Sequence, residues 1–149
     1  MSIGEICTRE VVVTPSSTNV EAAAELMRHH HVGDLIVVEK RGEERIPVGI
    51  VTDRDIVVEV VAAGLDPKSL TVGEIMCQEL VTGREEDGIL DTLQIMRTRG
   101  VRRLPILNAD GSLLGIVTVD DLIEVFAEEL TDLARVISRG RAREATGRS

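Results

Sequence analysis

Gly49-Ile-Val-Thr52-Asp-Arg-Asp55 returns later in the chain as Gly115-Ile-Val-Thr118-Val-Asp-Asp121. In both, an apolar strand-like run ends on a threonine and an acid follows three positions on, the pattern of a strand handing over to a capped helix. Outward from these stretches the self-similarity continues in one register. Ile3-Gly-Glu-Ile6 is answered by Val72-Gly-Glu-Ile75, and Val20 to Arg28 by Ile89 to Arg97. Leu35 to Val38 matches Leu104 to Leu107, and Gly42 matches Gly111. A short extra stretch in the first copy falls within Glu43 to Pro47. The chain is two copies of a unit of roughly sixty residues, and such a repeat constrains the fold before any single element does.

The same element order is expected in each copy. Thr18-Asn-Val-Glu21 reads as a capping box, followed by a helical stripe of Ala22, Ala23, Leu26 and Met27. Leu35 to Val38 reads as a strand buried on both faces, Glu39 to Arg45 as a polar turn, and Val48 to Thr52 as a second strand. Asp53 to Ala63 reads as a helix closed by Gly64, with Pro67 shortly after. In the second copy Asp87 is expected to cap a helix through Arg97. Strands Leu104–Leu107 and Leu113–Thr118 flank the turn Asn108 to Gly111. Neither unit can bury both faces of so small a sheet alone, so the copies should pack sheet against sheet about a pseudo-two-fold axis. A last helix from Val119 carries Leu122, Val125, Phe126, Leu130, Leu133 and Ile137 at helical spacing. Its distal half exceeds what one small pair needs, which reads as a homodimer contact. Residues 1–68 and 69–136 are the expected domains; 137–149 is expected to be a basic, disordered tail.

Of the 149 residues, 43% are hydrophobic, 29% charged and 1% aromatic; Phe126 is the single aromatic. The core is therefore aliphatic, and stacking platforms for nucleic-acid bases are excluded. A net charge of −9 repels a phosphate backbone, so no nucleic-acid partner is expected. The opening residues MSIGEICTRE lack a signal-peptide pattern, and no apolar run approaches a membrane span, so a soluble cytoplasmic protein is expected. Cys7 and Cys77 have no metal-ligand spacing, and His29, His30 and His31 point in different directions on a helix; no metal site is expected. No phosphate-binding Gly-rich loop, nucleophile elbow or zinc-protease motif is present, so no catalytic residue is assigned and an enzyme is not expected.

A duplicated β-α-β-β-α unit, each copy closing on Gly-x-x-Thr-x-x-Asp, resembles the tandem CBS (cystathionine-β-synthase-type) domain pair, over about residues 2 to 130. Val101-Arg-Arg-Leu-Pro-Ile106 and Val72-Gly-Glu-Ile-Met76 also carry the likeness. The resemblance implies an α/β (α+β) fold and a regulatory role. The ligand is expected to be an adenosyl compound: AMP or ATP first, NAD or S-adenosylmethionine as alternatives. No cofactor is required, and the regulated partner is another, unknown, protein. The alternative is an interaction protein with vestigial clefts, acting through dimerisation. Carried over residue by residue, the implied ligand-binding positions are Thr52, Arg54 and Asp55 with Thr118, Asp120 and Asp121. Gly33, Asp34, Leu35 and Ile36 are implicated before one middle strand, and Val101, Arg102, Arg103, Leu104 and Pro105 before the other.

These residue types suit the task. A hydroxyl at a helix start can cap or reach a ligand, and a carboxylate can take both hydroxyls of a ribose. The plain alternative for each Thr-x-x-Asp is a helix cap and nothing more. Arg54 stands where the second copy has Asp120, and Arg102-Arg103 where the first has Gly33-Asp34. Each cleft is thus expected to draw its arginines from a different element, Arg54 in one and Arg102/Arg103 in the other, and the two should differ in affinity.

Overall fold

A computed structural model describes residues 1–147. The two copies build two three-stranded sheets of the same topology. In the first, β1 (Val13–Pro15) leads through α2 (Val20–His30) to β2 (Asp34–Arg41), which pairs parallel with β1 and antiparallel with β3 (Glu44–Thr52). In the second, β4 (Gly83–Arg84) and α5 (Ile89–Arg99) lead to β5 (Arg103–Leu107) and its antiparallel partner β6 (Leu113–Thr118). The repeat extends to irregularities, since both hairpins shift register at equivalent points, Val37/Val38 and Ile106/Leu107. Gly42 and Gly111 turn them at φ +66° and +87°, backbone angles that a side chain resists.

Leu35, Ile36, Val37 and Val38 are all buried, as a strand covered on both faces requires. Ile36 and Val38 meet Leu113 between the two sheets, with Val13, Ile50 and Ile116 around them. The outer face of each sheet is covered by helices, giving two further aliphatic clusters.

The copies also exchange their leading segments. Helical turn α1 (Ile3–Ile6) leaves the first copy: Ile3 N–H donates to the Asp87 carbonyl at 2.7 Å, and its side chain is fully buried in the second copy's core. The matching turn α4 (Val72–Ile75) goes the other way. Val72 N–H donates to the Thr18 carbonyl at 2.8 Å, and Val72 is buried in the first copy's core. Behind them Thr8 bridges Ile116 on β6, and Cys77 bridges Ile50 on β3, so each sheet gains an edge contact from the other copy. A boundary near residue 68 divides the repeat but not the packing.

Several local expectations are corrected. Asn19, not Thr18, caps α2 by accepting from Ala22 N–H at 2.8 Å, while the Thr18 hydroxyl is taken by Thr14 at 2.7 Å. Gly88, not Asp87, is the N-cap of α5; the Asp87 carboxylate instead accepts from Arg84 N–H at 2.9 Å and closes the turn after β4. The segment after Thr52 is α-helical only in α3 (Asp53–Ile56) and continues as a π-helical stretch, Val57–Val61. The last helix, α6, runs Val119–Gly147 rather than stopping at Ile137. Arg139, Arg141, Ala142, Arg143, Glu144 and Ala145 are good helix formers and carry the chain past Gly140. Arg148 and Ser149 lie outside the described residues.

Candidate functional site

The Thr-x-x-Asp motifs form reciprocal caps. Thr52 N–H donates to Asp55 Oδ2 at 2.9 Å and Asp55 N–H donates to Thr52 Oγ1 at 3.1 Å. The second copy repeats this with Thr118 and Asp121 at 2.9 and 3.2 Å. The capping reading of these residues is therefore correct as far as it goes, but each cap occupies only one oxygen of its acid. The chain before each middle strand is pinned to the motif of its own copy. Asp53 N–H donates to the Gly33 carbonyl and Val119 N–H to the Arg102 carbonyl, each at 2.9 Å.

A cavity of about 410 Å³ opens where the copies meet, within the range of small-ligand sites. One wall is β3 and the start of α3, with Ile50, Thr52 and Arg54; the opposite wall is Gly100 to Arg103 with Pro105. The crossing segment supplies Cys77, Glu79, Leu80 and Val81. Thr52, Arg54, Val101, Arg102, Arg103 and Pro105 are thus brought together. The expectation that Arg54 and Arg102/Arg103 serve different clefts is corrected: all three line this one. The physical reason is the pseudo-two-fold packing, which sets the motif of one copy against the pre-strand segment of the other.

Other expected positions do not reach the cavity. Leu35, Ile36 and Leu104 are fully buried in the aliphatic cores. Asp55 lines a separate hollow with Glu59, Leu70, Glu74 and Cys77. Thr118, Asp120 and Asp121 lie at the end of β6, on the other side of the pseudo-axis. Glu79, Leu80 and Gly100 were not legible in the sequence, because nothing in it says that the segment after α4 crosses to the first sheet.

Arg54 and Arg102 are exposed at the rim. Arg103 is held: its Nη1 lies 3.1 Å from Asp34 Oδ2. These two residues occupy equivalent positions in the repeat, so they meet as groups beside a pseudo-two-fold axis do. Burial pushes the Asp34 carboxyl above its ordinary value; Arg103 opposes the shift and Asp53 adds to it. Arg103 Nε is buried without a protein partner among the described residues.

The repeat does not copy this arginine lining. The positions equivalent to Arg54, Arg102 and Arg103 are Asp120, Gly33 and Asp34, and Glu79 is matched by Glu10. The arginines thus gather on one side of the repeat only. Within a chain of net charge −9, this local basic group is what an anion would meet.

A family profile described as CBS domain matches residues 3–62 and again 72–128. The chain belongs to the CBS-domain family. An uncharacterized protein of Methanopyrus kandleri is 37% identical over 126 residues, 84% of this chain and 62% of that longer protein. Hypoxic Response Protein I, solved with two coordinated zinc ions, has a TM-score of 0.72 at 32% identity, over 83% of this chain and 98% of that one. A CBS domain protein of Pyrobaculum aerophilum, complexed with AMP, has a TM-score of 0.72 at 23% identity, over 81% and 89%, a likeness of fold. The chain is thus a tandem CBS pair of mixed α/β architecture. Among the described residues no three His, Cys, Asp or Glu side chains gather as a metal site. No described helix is long and apolar enough to cross a membrane.

Proposed function

We propose that this CBS pair senses a phosphorylated adenosyl ligand, AMP or ATP, and takes it in the arginine-lined cavity. The observation that carries the reading is that Arg54 from one wall and Arg102 from the opposite wall line a single cavity, which also holds an aliphatic lining. Ile50, Leu80, Val81 and Val101 offer a flat base apolar contact, and the arginine forks match phosphate oxygens. Thr52 Oγ1 at the start of α3 is a further polar contact. Arg103, tied to Asp34, positions the pre-strand segment and presents its buried Nε.

The positions related to these by the repeat, Asp120, Gly33 and Asp34, supply no arginine, so one nucleotide is expected per chain. Because the cavity has walls from both copies, the ligand is a clamp between them. Regulation follows if the bound and free pairs differ in affinity for the regulated protein. Relatives of this fold supply a precedent in the AMP complex of the Pyrobaculum protein. No reaction is assigned.

Thermal shift with AMP, ATP, NAD and S-adenosylmethionine tests the reading. AMP or ATP should stabilise the protein and Arg54→Ala with Arg102→Ala should abolish the effect. Absence of stabilisation by all four at saturating concentration would leave the alternative, an interaction protein with vestigial clefts.

A further inference from the structure

We propose that α6 pairs antiparallel with α6 of a second copy of this chain, an inference that stands apart from the nucleotide reading. Every residue from Ala127 to Gly147 is exposed, so the distal part of the helix projects from the body for about 30 Å at 1.5 Å per residue. It is not a polar rod. Ile123, Leu130, Leu133 and Ile137 are 59%, 67%, 60% and 56% exposed. With Phe126 they alternate spacings of three and four residues, which is the seam of a two-helix coiled coil rather than the broader stripe of a helix lying on a domain. Phe126 packs on the second copy's core, so the seam begins on the body and leaves it. A lone helix in water with such a seam is unfavourable, and the apolar row needs a cover.

Charge identifies the cover. From Asp120 to Asp132 the helix carries six carboxylates and no lysine or arginine; from Arg135 to Arg143 it carries four arginines and no carboxylate. A second copy laid antiparallel sets the acidic half of each helix against the basic half of the other. A parallel copy stacks acid on acid and arginine on arginine. The antiparallel register that joins the seams places Leu130 against Leu133 of the second copy and Ile123 against its Gly140. Asp120 then faces Arg141 across the flank, while Ala127 and Ala134 leave room for close approach. The surface is complementary to itself, as a two-fold dimer requires.

Sedimentation equilibrium of the full chain should give twice the 16.2 kDa mass, with the dimer weakening as salt rises. Leu130→Glu with Leu133→Glu should give a monomer that still unfolds cooperatively, because neither side chain touches the body. Orientation is read in a Cys7→Ser, Cys77→Ser background. Ile123→Cys and Gly140→Cys chains should form a disulfide when mixed and oxidised, and neither should cross-link efficiently alone. A monomeric wild type, or a dimer that persists in the double glutamate variant, would overturn the pairing. Self-cross-linking of Ile123→Cys in preference to the mixed product would overturn its direction. Nucleotide-induced stabilisation, measured on the Leu130→Glu, Leu133→Glu chain with both cysteines retained, should match wild type, which keeps this outcome distinct from that of the ligand reading.

Discussion

Arg54 and Arg102 are single residues that the repeat sets against each other's copies, and their consequences are measured one side chain at a time. A charge-assisted hydrogen bond to phosphate is worth about 1.5–3 kcal/mol, so Arg54→Ala or Arg102→Ala should each weaken AMP binding by roughly 10- to 100-fold in titration calorimetry. Asp34 makes a different prediction. Burial raises its carboxyl, so the folded state holds the proton more tightly than the unfolded chain does. The stability this gives is complete below the ordinary carboxylate range and is lost as pH rises through the raised value. Asp34→Asn removes that loss. Its melting temperature relative to wild type should therefore increase with pH across the carboxylate range, and a flat difference would contradict the assignment. At this scale the sequence was legible for identity but not for grouping. Thr52, Arg54 and the Val101–Arg103 run were visible as candidates. Their meeting in one cavity was not, because the sequence shows two equivalent halves without showing how they face. Leu35, Ile36 and Leu104 fell out of the site for the reason that made their strands legible: continuous apolar runs are buried on both faces.

At the scale of elements, the two strand-end glycines explain why the motif opens with Gly. A Cβ on Gly115 would lie 2.5 Å from the Thr8 carbonyl oxygen and 2.9 Å from Cys7 Sγ. On Gly49 it would lie 2.5 Å from Met76 Sδ, the mobile part of a flexible side chain, and 3.0 Å from the Cys77 carbonyl oxygen. Overpacking of this kind costs about 1–3 kcal/mol, and Gly115→Ala should be the more damaging in chemical denaturation, because the Thr8 backbone is fixed by its bridge to Ile116. Equal destabilisation would mean that the Thr8 segment yields as easily as a methionine. Strand and helix existence were legible from the repeat and from period. The caps were less so, since adjacent Thr18-Asn19 and Asp87-Gly88 offer rival N-caps and tertiary contacts choose between them. The extension of α6 to Gly147 was misread because basic, apolar-poor composition describes both a solvated tail and an exposed helix.

For the whole molecule, the exchanged leading turns make two repeats into one folding unit. Ile3 is fully buried in the second copy and Val72 in the first, so each copy's core is completed by the other's chain. Ile3→Ala should cost about 2–5 kcal/mol and lower the stability of the pair as a single transition. Separate transitions for the two copies would show that they fold independently. The duplication and the pseudo-two-fold packing were legible in the sequence; the exchange was not, since a repeat says what is copied and not which copy it packs on. The same architecture yields the central claim, one arginine-lined cavity between the copies. Titration calorimetry of AMP or ATP against wild type and the Arg54→Ala, Arg102→Ala double variant tests it most directly. The account predicts one nucleotide per chain in the wild type and loss of that binding in the variant. Two equivalent nucleotides per chain, or binding that survives the loss of both arginines, would contradict it.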